Sequence, residues 1–177
     1  MEPKDIAEIL AACRAGRPEG YERLLAAYST RIYGYFLRLT GDASLSDDLL
    51  SDLFVKLVER LDSYNGGSFE KWIFTIASNV FYDHLRRRQR QQRLKETVRQ
   101  RLEKTGEVVD DADPFTGDDL QMHLASIDEE TRELIILRFY GDLSFKEVAA
   151  MKQMPVGTIL SKVHRGLRKL REQMKEQ

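Results

Sequence analysis

Residues Leu143 to Arg171 read L-S-F-K-E-V-A-A-M-K-Q-M-P-V-G-T-I-L-S-K-V-H-R-G-L-R-K-L-R. Two short helical patterns lie on either side of a break. The first spans about Phe145–Lys152, with Val148, Ala149 and Met151 apolar. Ser144 stands at its N-cap position and Glu147 three residues on, the pattern of a capping box. The second begins near Pro155, whose missing N–H is no loss in a first helical turn. Its apolar residues Val156, Ile159, Val163, Leu167 and Leu170 recur every three or four positions, one face of a helix. The other face carries Thr158, Ser161, Lys162, His164, Arg165, Arg168 and Lys169. A small residue at Ala149 lets the two helices cross closely. This is the pattern of a helix-turn-helix whose second helix enters the major groove. An ordinary helical hairpin with a solvated basic face fits the same spacing. Gln153 occupies the turn position where glycine is usual, at a cost of about 1 kcal/mol.

The chain has 177 residues, enough for one domain or two small ones. Its 28 basic residues against 29 acidic ones give a net charge near zero. That average conceals blocks. From Arg86 to Lys104 basic residues are opposed only by Glu96 and Glu103. From Gly106 to Glu130 every charged residue is acidic, and from Ser144 onward basic residues dominate again. Two basic bodies thus flank an acidic connector, and basic stripes supply the counterion-release term of DNA affinity. The single cysteine, Cys13, cannot form an internal disulfide. It is read as a packing residue, with a redox sensor as the other possibility. No metal-ligand cluster, phosphate-binding glycine loop or catalytic triad spacing is present. No run of about 18 apolar residues points to membrane insertion. The first residues lack the basic and apolar regions of a secretory signal, so a cytoplasmic protein without metal or cofactor is expected.

Working back along the chain, residues 4–15 read as a short helix and 19–40 as a longer one, stopped at Gly41. Ser44 or Ser46 is the expected cap of a third helix running to about Leu61, with Leu49, Leu50, Leu53, Val55, Leu57 and Val58 apolar. Asp47, Asp48, Asp52 and Glu59 give it an acidic outer face. Asn65-Gly66-Gly67 is a loop signal. Ser68 can cap the next helix, whose expected buried face is Trp72, Ile73, Ile76, Ala77, Val80, Phe81 and His84. His84 reads as a packed or boundary residue rather than a ligand. The basic run Arg86–Arg90 continues that helix past Arg99. Aromatics beside a basic groove suit unstacked single-stranded bases. Gly106–Gly117 reads as a linker, and helices are expected over 118–127 and 129–140.

Four segments together resemble an extracytoplasmic-function sigma factor, the small two-domain group of bacterial sigma factors. They are S-D-D-L-L-S-D-L-F (46–54), Y-N-G-G-S-F-E-K-W-I-F-T-I-A-S-N (64–79), D-H-L-R-R-R-Q-R (83–90) and M-P-V-G-T-I-L-S-K-V-H-R (154–165). The likeness covers about residues 19–93 and 120–172. It implies an all-α fold of two small helical domains: 1–104 (region 2), a flexible acidic linker 105–117, and 118–177 (region 4) with the helix-turn-helix. It implies a non-enzymatic initiation factor whose partners are bacterial core RNA polymerase, promoter DNA and an anti-sigma factor. The polymerase clamp would meet Asp47, Asp48, Leu49, Asp52 and Phe54, although Ser51-Asp52 stands where Gln-Glu is usual. A flipped base of the minus-ten element would be captured by Tyr64, Asn65, Gly66, Gly67, Ser68 and Phe69. Asn79, Asp83, Arg86 and Arg87 would border the melted strand. The minus-thirty-five element would meet Thr158, Leu160, Ser161, Lys162, His164 and Arg165. Leu160 replaces a usual basic residue and Lys162 a usual arginine, so an altered or softer preference is expected.

Two other classes compete. A stand-alone helix-turn-helix regulator has no need of the base-capture loop and the acidic face together. A small nuclease needs clustered carboxylates, and only the linker is dense in them. The opposite charges of linker and basic bodies further suggest that the free chain hides its DNA surfaces.

Overall fold

The computed structural model describes residues 3–102 and 119–174, with side chains over 5–96 and 120–174. The expected linker 105–117 lies outside the described residues, as do the side chains of Arg99, Arg101 and Lys104. Among the described residues every regular element is helical: α1 Pro3–Arg14, α2 Pro18–Thr40, α3 Ala43–Arg60, a 3-10 turn Leu61–Ser63, α4 Phe69–Leu102, α5 Asp119–Ala125, α6 Glu129–Phe139, α7 Phe145–Lys152 and α8 Val156–Gln173.

The helix ends follow local chemistry. Gly41 closes α2 in the left-handed conformation (φ 72°), which its missing Cβ permits. The cap of α3 is Asp42, and not Ser44 or Ser46. Its side chain accepts from the Leu45 N–H at 3.0 Å while its backbone is extended. Ser46 is instead fully buried inside the first turn of α3. Asp128 caps α6 by accepting from the Thr131 N–H at 2.9 Å.

In the first half, α1 to α4 bury a shared core. Leu24, Ile32, Tyr35 and Phe36 of α2 meet Leu49, Leu53 and Leu57 of α3 and Ile73, Phe74 and Ala77 of α4, all at 4% exposure or less. Trp72 and His84 are only half-buried, so the interior face of α4 is narrower than its spacing suggests. Val55 and Val58 depart further. They lie on the outer face of α3, at 61% and 51% exposure. Cys13 is buried, and burial pushes its thiol pKa up, away from a reactive thiolate.

In the second half, α6, α7 and α8 enclose Leu134, Leu137, Val148, Ile159 and Val163. A Cβ built on Gly166 would lie 2.6 Å from Thr131 Cγ2 and 2.8 Å from Ile135 Cδ1. The absent side chain is what lets α8 approach α6.

The two halves pack against each other, and their buried residues form one continuous core. Tyr140 lies over Gly34 of α2, where a Cβ would meet its hydroxyl oxygen at 2.0 Å. The Arg38 guanidinium stacks on the Tyr140 ring at 4.0 Å. Arg132 donates to the Leu39 carbonyl and Gln121 to the Arg38 carbonyl, each at 3.0 Å.

Candidate nucleic-acid interface

The helix-turn-helix is built as its sequence suggests. Glu147 N–H donates to Ser144 Oγ (3.2 Å) and Ser144 N–H to Glu147 Oε2 (2.8 Å), closing the capping box. Gln153 holds the left-handed turn at φ 53°, ψ 40°. Its strain is stabilised by the Met154 N–H, which donates to the Ala149 carbonyl at 3.0 Å. Pro155 stands at the N-cap of α8, and its carbonyl accepts from Thr158 and Ile159. Helix α8 buries Ile159, Val163, Gly166 and Leu170.

The opposite face of α8 carries Leu160, Ser161, His164 and Arg165, all exposed. Ser161 Oγ donates to the Gly157 carbonyl (2.9 Å), which orients its hydroxyl along the helix. Thr158 and Lys162 are half-buried. The Lys162 ammonium is paired with Glu130 of α6, a contact that the sequence pattern does not reveal.

The loop between the 3-10 turn and α4 lies at the surface of the first half. Gly66 and Gly67 have φ values of 96° and 88°, and nothing lies within 4 Å of a Cβ built on either. Glycine is needed there for backbone conformation and not for space. Tyr64 O–H donates to the Gly67 carbonyl (2.7 Å), and Arg14 donates to the Tyr64 carbonyl (2.7 Å). Helix α1 therefore braces the loop, a role no pattern within the loop announces. Ser68 caps α4 by accepting from the Lys71 N–H at 3.1 Å.

Asn65, Gly66 and Gly67 are exposed, but Phe69 is not. At 2% exposure it corrects the expectation of a base-contacting residue. Its ring sits among Tyr28, Tyr64 and Trp72 at centroid distances of 5.3 to 5.4 Å. As the first residue of α4 it points inward, and the burial of a whole aromatic ring outweighs any surface use. Phe69 thus floors the loop. The half-buried Tyr64 and Trp72 present aromatic surface beside it.

Along α4, Asn79, Arg86 and Arg87 are exposed. Asp83 binds Lys56 of α3 at 3.0 Å and also pairs with Arg86. Hydrogen bonds from Lys56 and Arg86 hold its carboxyl below the usual carboxylate range. Asp83 therefore braces α3 against α4 and orients Arg86, with little capacity left for a further partner.

On α3, Asp47, Asp48 and Asp52 are exposed. Leu49 is 2% exposed and belongs to the core, which corrects its placement on the outer surface; it falls on the same stripe as Leu53 and Leu57. Phe54 is half-buried. Val55 and Val58, missed as surface residues, complete a mixed acidic and apolar face. Their signal was their spacing from Asp48 and Asp47, which puts them opposite the Leu49–Leu53–Leu57 stripe.

Among the described residues no group of three or more His, Cys, Asp or Glu side chains is placed to hold a metal ion. No helix among them is long and apolar enough to cross a membrane.

Comparisons with known proteins agree with this geometry. The chain matches the sigma-70 region 2 family over residues 24–91 and the sigma-70 region 4 family over residues 123–172. It is 30% identical to the ECF RNA polymerase sigma factor SigE of Mycolicibacterium smegmatis, over 86% of this chain and 60% of that protein. It is 29% identical to the RNA polymerase sigma factor CarQ of Myxococcus xanthus, over 92% of this chain and 94% of that one. Among solved structures it resembles the sigma factor RpoE in complex with the anti-sigma factor NepR from Bartonella quintana. The TM-score is 0.70 at 24% identity, covering 88% of this chain and 96% of that one. It also resembles CnrH in complex with the cytosolic domain of CnrY, with a TM-score of 0.67 at 20% identity, covering 95% and 96% of the two chains. These two likenesses speak to the fold. With regions 2 and 4 following one another over most of the chain, and ECF sigma factors among its curated relatives, the chain belongs to the sigma-70 family.

Proposed function

We propose that this chain is a transcription initiation factor that joins bacterial core RNA polymerase, selects promoters through two DNA elements and stabilises an unpaired base, with no catalytic step of its own. The division of labour is residues 1–104 for polymerase and the minus-ten element, 105–117 as a connector, and 118–177 for the minus-thirty-five element. The observation that carries this reading is the coexistence, in one chain, of an exposed glycine loop over an aromatic floor and an exposed polar face on a capped helix-turn-helix.

Each surface suits its task. Leu160 and the exposed polar residues Ser161, His164 and Arg165 of α8 can reach base edges. Leu160 fits a thymine methyl, and Arg165 can donate to guanine or phosphate. Lys162 reaches DNA only after leaving Glu130. Extrusion of a base costs a few kcal/mol, which stacking on Tyr64 or Trp72 and contacts to Asn65 and Ser68 would offset. Arg86, Arg87 and Asn79 would track the backbone of the opened strand. Asp47, Asp48, Asp52, Val55 and Val58, with the edge of Phe54, form a face that fits a basic and apolar patch of the polymerase. An anti-sigma factor would regulate the chain by covering these surfaces, in the cytoplasm where polymerase works.

Transcription from a library randomised across both promoter elements tests the assignments. The wild-type holoenzyme should enrich two motifs. Arg165→Ala should lose information only in the upstream motif, by about 1–3 kcal/mol per contacted base pair. Asn65→Ala should lose it only in the downstream motif. Loss in the opposite element by either variant would refute that residue's role.

A further inference from the structure

Glu133 is fully buried, and neither the DNA-facing nor the polymerase-facing surfaces use it. Its carboxylate sits where the two halves meet. Tyr35 O–H of α2 donates to Oε1 at 2.8 Å, and Tyr82 O–H of α4 donates to Oε2 at 2.8 Å. Lys152 of α7 pairs with Oε2 as well, and its ammonium donates to Ser78 Oγ of α4 at 2.9 Å. Burial and the Glu133 charge push both tyrosines well above their ordinary pKa, so each remains a donor. The lysine and glutamate belong to the second half, the two tyrosines and the serine to the first.

That arrangement has a consequence for separating the halves. A buried ion pair rarely adds more stability than apolar packing of the same volume. Here, however, the charged partners Glu133 and Lys152 travel together. On opening they keep each other and gain water, and no charge is left orphaned. Within this cluster the contacts that break are those to neutral hydroxyls, while Arg31, Arg38 and Arg132 make the other polar contacts across the same seam.

Closure also seats α7 on α4, the helix that the base-capture loop leads into, through the Lys152 ammonium and Ser78 Oγ. Elements at minus ten and minus thirty-five lie about 25 base pairs apart, about 85 Å of B-form DNA. A compact chain of this length has a radius of gyration of about 16 Å, and so spans about 40 Å. The packed form cannot read both elements at once.

We propose that the Glu133 cluster is an intramolecular latch: it holds the free chain closed, with α6 and α7 on α4, and must release before both promoter elements can be engaged. The proposal rests on the promoter-reading function above. It predicts that loosening the cluster favours the open chain without touching either DNA surface. In Glu133→Gln the negative partner of Lys152 is lost and one end of the side chain can no longer accept, so the cluster is weakened. Tyr82→Phe removes one donor with little change in volume.

The test uses the full chain, free in solution, with small-angle scattering and binding to a bipartite probe: a minus-thirty-five duplex joined to a minus-ten fork. The wild type should be compact. Tyr82→Phe and Glu133→Gln should raise the radius of gyration and bind the bipartite probe about tenfold more tightly or better, the worth of a hydrogen bond to a charged group. Affinity for the isolated upstream duplex should not move. Should Glu133→Gln lose helix content, Tyr82→Phe and Lys152→Met decide the matter. An extended wild type, or folded variants as compact and as weakly bound as the wild type, overturns the latch. Run-off transcription by the wild-type holoenzyme separates the two claims: if it fails, the function is wrong, and if it succeeds while the variants change nothing, only the latch is.

Discussion

Gly157 and Gly166 lie in the same helix, α8, yet alanine should act in opposite directions at the two. At Gly166 a methyl group would sit 2.6 Å from Thr131 Cγ2 and 2.8 Å from Ile135 Cδ1, well inside van der Waals contact. Both obstacles are side-chain ends, so α6 and α8 can shift apart by part of the overlap. Overpacking of this kind costs about 1–3 kcal/mol, against which the better helix propensity of alanine returns about 0.5–1 kcal/mol. The net expectation for Gly166→Ala is a loss of about 0–2.5 kcal/mol, centred near 1 kcal/mol. At Gly157, in the first turn, nothing lies within 4 Å of the added methyl and the backbone is helical. Gly157→Ala should therefore gain about 0.4–1 kcal/mol, chiefly by restricting the unfolded chain. At about 2–4 °C per kcal/mol for a chain of this size, thermal unfolding followed by circular dichroism resolves both shifts. Because Gly166 sets how deeply α8 seats on α6, its variant should also weaken upstream-element binding, while Gly157→Ala should leave the α6–α8 seating intact. A Gly166→Ala chain more stable than the wild type, as Gly157→Ala is expected to be, would refute the claim that this glycine is required for close helix approach.

Three further outcomes follow from particular contacts. Asp48→Ala combined with Val55→Ser should weaken core polymerase binding in a pull-down titration with no fall in melting temperature, since both side chains are exposed; a loss of stability would mean that α3 packs otherwise. Glu130→Gln frees Lys162, so the salt dependence of non-specific DNA binding should steepen by about one unit, while stability changes by less than about 1 kcal/mol because the pair is partly solvated. At Asp128 the Thr131 backbone N–H holds the carboxyl below its ordinary value. A lowered folded-state pKa gives stability that is present above the unfolded value near pH 4 and lost as pH falls through the folded one. Asp128→Asn keeps a capping side chain but should flatten that acid limb in urea titrations; an unchanged limb would remove the cap from the account.

Helix identities were legible because apolar spacing and cap chemistry agreed over most of the chain. Ser144 with Glu147, Pro155 and the Ile159–Val163–Leu170 stripe specify the helix-turn-helix almost alone. Gln153 adopts the left-handed conformation even without glycine, because the buried neighbours Val148, Ala149 and Ile159 fix the turn around it. Burial was less legible where local rules compete. Phe69 is grouped with the base-capture loop by the resemblance, yet as the residue after the Ser68 cap it opens α4, and its ring is drawn into the core. Val55 and Val58 read as core by residue type, yet helical geometry turns them outward. Long-range pairings were not legible at all. Nothing in the local pattern links Glu130 to Lys162, Arg14 to the Tyr64 carbonyl, or Glu133 to Tyr35, because each depends on how separate elements meet in space.

Transcription by purified core polymerase on supercoiled template, with transcript 5′ ends mapped in the presence and absence of this chain, addresses the central claim most directly. With the chain present, transcripts should begin at discrete sites, each preceded by two recurring elements about 25 base pairs apart. Start sites no different from those of core polymerase alone would contradict it.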